Sequence, residues 1–125
     1  MAQINDFRDL IVFKRAYDIS LKIHKLTIDF PKEEKYSLTD QMRRSSRSIC
    51  SNIAEAWAKK AYPKHFKSKL TDSLGEEHET ETWLDYSHDF GYINKETRNS
   101  LIEEYQEVKK MLNSMINNPA KFGPR

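Results

Sequence analysis

The chain has 125 residues, 32% of them charged, with 3 glycines, 4 prolines and a net charge of +2. That length suits one domain whose core needs no metal or disulfide staple, and so little Gly and Pro argues for helices over turn-rich sheets. A single cysteine, Cys50, excludes an intramolecular disulfide and leaves no reason to invoke an oxidising compartment.

The opening MAQINDFRDL lacks the basic-then-apolar pattern of a secretory signal. No apolar run approaches the roughly 18 residues that span a bilayer. The expectation is a cytoplasmic protein with no membrane contact. The net charge hides a polarity. Residues 1–70 hold 15 Lys/Arg against 8 Asp/Glu (+7), and residues 71–125 hold 6 against 11 (−5). Such polarity fits a polyanion partner, self-association of a basic face with an acidic one, or simply solvated faces.

The first helix is expected from Asp6, which can cap a turn whose third residue is Asp9. Its apolar stripe reads Phe13, Ala16, Tyr17, Ser20, Ile23, Thr27, Phe30, and Pro31 closes it. After the charged loop PKEEKY, Ser37 with Asp40 three residues on reads as a capping box for helix two. The inner stripe there is Met42, Ser46, Ile49, Ile53, Ala56, fading near Ala61. Pro63 suits the first turn of helix three, whose apolar positions are Phe66, Leu70, Leu74 and Leu84, and Gly91 is its left-handed stop. Asn94 caps helix four, with the stripe Leu101, Tyr105, Val108, Leu112, Met115. The expectation is one all-α domain over residues 1–118, an up-down-up-down antiparallel four-helix bundle, with residues 119–125 as a flexible tail.

Helix two holds the stretch of most interest, DQMRRSSRSICSNIAEA. At 100° per residue, Met42, Ser46, Ile49 and Ile53 share about 60° of arc, and Arg43, Arg44 and Arg47 fill another arc roughly 140° away. The small residues Ser45, Ser46, Ser48, Ser51 and Ala54 allow a second helix to approach closely. Asn52 reads as an amide between helices, which needs hydrogen-bond partners and can fix their register.

This stretch resembles the Q-x-R-R-x-x-x-S-I-x-S-N-I-A-E-G signature of the four-helix-bundle proteins encoded in intervening sequences of 23S ribosomal RNA genes. Gln41, Arg43, Arg44, Ser48, Ile49, Ser51, Asn52, Ile53, Ala54 and Glu55 match, and Ala56 stands where the family has glycine. The block DSLGEEHETETWLDYSHDFGYI is similar to the family's S-L-x-E-x-x-E-T helix and Gly-Tyr stop, and Phe7, Leu10, Val12, Phe13 and Ala16 resemble its opening. The resemblance implies a ring-shaped homo-oligomer, typically a pentamer, and a role tied to RNA. It also implies kinship with accessory proteins of the reverse transcriptases of diversity-generating retroelements.

For RNA or another polyanion the candidate residues are Arg43, Arg44 and Arg47, then Lys59, Lys60 and Lys64 around the turn between helices two and three. Guanidinium forks suit phosphate, and Trp57, Tyr62, His65 and Phe66 could stack on unpaired bases. The competing reading pairs these arginines with carboxylates of a neighbouring helix or subunit, in a purely structural module. Ser48, Asn52, Glu55 and Glu77 are assigned to bundle architecture, with Glu77 or Glu81 accepting hydrogen bonds from Asn52, Ser48 or an arginine. Trp57, Trp83, Tyr86, Tyr92 and Tyr36 do not all fit one bundle core, so Trp57, Trp83 and Tyr86 are assigned to a subunit interface, the alternative being that they lie flat on the bundle's flank as partial core. Glu77, Glu81 and His88 do not reproduce a di-iron carboxylate pattern, since the fourth helix lacks histidine. Cys50 reads as an inert buried thiol. No enzyme motif is present, so no catalytic residue, metal, cofactor or small-molecule substrate is expected.

Overall fold

The computed structural model describes residues 3–123. Four helices carry the fold: α1 (Ile11–Thr27), α2 (Leu38–Ala58), α3 (Pro63–Asp89) and α4 (Lys95–Asn117), with 3-10 turns at Phe7–Asp9, Lys32–Glu34 and Pro119–Lys121. No strand occurs among the described residues. Helix α2 packs on α1 and α3, and α4 packs on α3 and α1, so α1 and α3 stand across the bundle from each other. The expected all-α four-helix bundle is the architecture of this chain.

Local chemistry sets the helix ends. The Asp9 carboxylate accepts from the backbone N–H groups of Asn5 and Asp6 (2.9 and 3.1 Å), which closes a 3-10 turn where the first helix was expected to begin. Helix α1 proper starts at Ile11. Ser37 does not form the expected capping box. Its hydroxyl donates to Glu34 Oε1 (2.6 Å), because the preceding turn brings that carboxylate closer than any helical N–H. Pro63 opens α3, Gly91 takes a left-handed φ of +82°, and Asn94 Oδ1 accepts from the Thr97 N–H (2.7 Å), as their residue types require.

The stripes of α2 and α4 are buried as the periodicity demands. Helix α1 buries Ala16, Ser20, Ile23 and Thr27 of its expected stripe, but its rotation leaves Phe13 half-buried and brings in Val12 and Ile19. Val12, Ala16, Ile19, Ser20, Ile23 and Thr27 face the core, while Tyr17 is 51% exposed. Two apolar arcs lie side by side on this helix, and packing against α2 and α4 selects the one with the smaller, branched side chains.

Helix α3 departs furthest from pattern. Its buried face includes Ser73, Thr80 and Ser87, seven residues apart. Ser73 Oγ donates to the Ile49 carbonyl (2.8 Å), Thr80 Oγ1 donates to Ser45 Oγ (2.8 Å), and Ser87 Oγ lies 3.1 Å from Met42 Sδ. As the α3 numbers rise the α2 numbers fall, so these two helices run in opposite directions. Small side chains on both surfaces make α2 and α3 the most extensive helix pair. Beyond α4, Phe122 stacks on Phe66 at 5.7 Å, which ties the expected tail to the core as far as it is described. Residues 124 and 125 of that tail lie outside the described residues.

Candidate nucleic-acid interface

The three arginines of α2 do not act as one patch. Arg43 is half-buried, and its Nε donates to Thr27 Oγ1 of α1 (2.8 Å). Arg47 is exposed, with Nη2 3.2 Å from His24 Nδ1. Arg44 leaves from the opposite edge and reaches only its own-helix Asp40, at 3.9 Å. The arc drawn from the sequence spans both edges of the helix, and α1 covers one of them.

The lysines sit at the far end of α2, about 18 Å beyond Arg47 at 1.5 Å per residue. Lys59, Lys60 and Lys64 flank the turn into α3, with Lys67 one turn on. None of these four forms an ion pair among the described residues. Lys60 Nζ lies over the Trp57 ring, 4.1 Å from its centre. Tyr62 is exposed in the same turn, its ring edge-on to His65 at 6.1 Å. Phe66 is fully buried and therefore offers no stacking surface, contrary to expectation.

The signature residues resolve into two roles. Ile49, Ile53 and Ala56 are fully buried core. Ser48, Asn52 and Glu55 lie along the outer edge of α2. Asn52 Nδ2 donates to the Ser48 carbonyl (2.9 Å) and lies 3.3 Å from Ser48 Oγ, within its own helix. Glu55 pairs with Lys69 of α3 (2.9 Å). None of the expected bonds from Asn52, Ser48 or an α2 arginine to Glu77 or Glu81 occurs among the described residues: Glu77 is sunk in the bundle interior, and Asn52 turns back to Ser48.

A sequence profile described as "23S rRNA-intervening sequence protein" matches residues 8–114, across the whole bundle. This chain belongs to the 23S rRNA-intervening sequence protein family. The match agrees with the resemblance in the signature helix. Its fold is similar to the crystal structure of a protein of unknown function from the S23 ribosomal protein family of Bacteroides thetaiotaomicron. The TM-score is 0.77 at 30% identity, over 86% of this chain and 96% of that one. No curated protein matches.

In this family member the bundle interior holds a polar cluster. Glu77 is 0% exposed, and neither carboxylate oxygen has a hydrogen-bond partner among the described residues. Burial, then the neighbouring Glu81 carboxylate, pushes its pKa up to about 9. Burial works against charge on Glu81, but the adjacent protonated Glu77 and the Lys109 ammonium outweigh that and hold its pKa below the usual range. Lys109 Nζ of α4 sits 2.9 Å from Glu81 Oε2. The Tyr105 hydroxyl is buried nearby without a partner, and burial raises its pKa well above the ordinary phenol value. The chemistry is that of a shared proton between two carboxyl groups one helical turn apart. His88, expected on this stripe, is half-buried beside Asp89 instead. No group of three or more His, Cys, Asp or Glu side chains suited to a metal ion occurs among the described residues. Burial raises the Cys50 thiol to about 11, which makes it a poor nucleophile.

The aromatic residues assigned to an interface divide between two places. Trp57 is half-buried against the core beneath Lys60. Trp83 and Tyr86 form a ladder on the outer flank of α3 that continues through Phe90 to Tyr92 and Phe30, with ring centres 5.3 to 5.8 Å apart. Phe90, 55% exposed, escaped the sequence reading because it lies past the stripe, just before the Gly91 stop. No described helix is long and apolar enough to cross a membrane.

Proposed function

We propose that this protein is a non-catalytic, up-down-up-down four-helix bundle that self-associates and binds RNA through the lysine-rich turn between α2 and α3. The observation that carries the reading is the unpaired state of Lys59, Lys60, Lys64 and Lys67 beside the exposed Tyr62. Most carboxylates lie on α3 and α4, so these cations keep their charge for a partner. Lysines around an exposed aromatic ring suit a single strand, with phosphates on the ammonium groups and a base on the ring. Arg44 and Arg47 extend the positive field along α2. Arg43 is engaged with Thr27 and contributes more to joining α1 to α2 than to a ligand.

Binding of this kind is mostly phosphate contact and weakens with salt, log K falling against log salt concentration with a slope of about −0.7 per phosphate contacted. A fluorescence titration with labelled single-stranded RNA at several salt concentrations tests it. Replacing Lys59, Lys60 and Lys64 with alanine should weaken binding and reduce the slope by about 2. An unchanged affinity and slope, or no binding by the wild type at low salt, would remove RNA from this turn.

A second reading, a purely structural module, is favoured by one observation: the aromatic ladder of α3 is an apolar surface left uncovered in the monomer. Under that reading self-association remains and the RNA titration is flat.

A further inference from the structure

We infer that the groove between α1 and α2 receives the outer flank of α3 from a second copy of this chain. The inference rests on the self-association part of the reading above and is independent of RNA.

The groove has a volume of about 780 Å³. Its α1 wall is a second apolar arc, Phe13, Tyr17 and Leu21, with Tyr17 51% and Leu21 47% exposed. Its floor is made of small side chains from α2, Cys50, Ser51 and Ala54, which admit a bulky ridge. The three wall residues lie one turn apart and span about 12 Å. Three cations, Arg8, Lys14 and Arg47, line it against one acid, Asp18.

The α3 flank has the complementary features. Trp83, Tyr86 and Phe90 form a continuous ridge, with ring centres 5.8 and 5.7 Å apart, spanning about 10 Å. Towards its N-terminal end Asp72, Glu76 and Glu79 crowd one side of the helix. Burial and then the adjacent Glu79 raise the pKa of Glu76, and Arg44 of α2 offsets only part of that, so the acids crowd one another here. An apolar ridge beside acids therefore faces an apolar groove with a basic rim, over matched lengths.

One molecule cannot close this contact on itself, because α1 and α3 stand across the bundle from each other. The contact is heterologous: each copy offers one groove and one ridge, and repetition gives a closed ring or an open filament.

Two variants separate this pairing from self-association in general. Tyr17→Glu with Leu21→Glu blocks the groove, and Tyr86→Glu with Phe90→Glu blocks the ridge. Analytical ultracentrifugation should show an assembly for the wild type and monomers for each variant alone. An equal mixture of the two should give a dimer of twice the monomer mass, since one intact groove and one intact ridge remain. A mixture that stays monomeric overturns the pairing, as does either variant keeping the wild-type mass. In the latter case self-association survives and uses other surfaces. A monomeric wild type overturns self-association and the pairing together, while RNA binding is judged by its own titration. If a double variant loses helical circular dichroism, Tyr17→Cys mixed with Tyr86→Cys serves instead. A disulfide-linked dimer is expected on a non-reducing gel, and its absence refutes the contact.

Discussion

Replacing Glu77 with glutamine should stabilise the bundle, and by more as pH rises. The side chain is 0% exposed, both its oxygens lack partners among the described residues, and Glu81 lies one turn away. The buried site favours the neutral acid, because the Glu77 anion would have to sit in the interior beside the Glu81 carboxylate. Lys109 faces Glu81 from α4 at 2.9 Å, His78 Nε2 lies 3.8 Å from Glu77 Oε1, and the Tyr105 hydroxyl adds no charge below its high pKa. Folding raises the Glu77 pKa from 4.5 to about 9, so the native state holds a proton that the unfolded chain releases. Stability is therefore full below about pH 4.5 and declines as pH rises towards 9. At 1.36 kcal/mol per unit, the cost at pH 7 is about 3 kcal/mol, an upper figure because the lowered Glu81 pKa works in the opposite direction. Glutamine needs no proton. The expected gain at pH 7 lies below that upper figure, on the order of 1–3 kcal/mol or several °C in Tm, and shrinks to under about 1 kcal/mol at pH 5. Urea denaturation of both proteins at pH 5, 7 and 9 measures it. Curves that run parallel from pH 5 to 9 would refute the buried, protonated state of Glu77.

Three further outcomes are expected. Arg43→Ala should destabilise the fold by about 1 kcal/mol in urea melts, by removing the Thr27 bond between α1 and α2, with RNA affinity changed less than by the lysine variant. Gly91→Ala should cost about 1 kcal/mol, because φ of +82° is strained for alanine although its Cβ meets nothing within 4 Å. Cys50 should react with a thiol reagent at pH 8 far more slowly than an exposed cysteine, since burial raises its pKa to about 11, and urea should accelerate labelling.

The four helices, their main breaks and the cores of α2 and α4 were legible from residue order alone. Those features follow from local chemistry: Pro63 can only open a helix, Gly91 alone takes a positive φ cheaply, and a stripe repeating every three to four residues has one face to hide. The signature in α2 likewise pointed to the family. Which of two competing faces is covered depended on the assembled bundle. Helix α1 carries two apolar arcs, and its rotation left Tyr17 and Leu21 on the groove. Helix α3 buries Ser73, Thr80 and Ser87, which no apolar periodicity announces, because their hydroxyls find partners on α2. Asn52 turned back to its own helix, and the arginines were split between two edges, once α1 took its place beside α2. Sequence spacing fixes where side chains stand around one axis; the neighbours that arrive around that axis decide which of them stay in water.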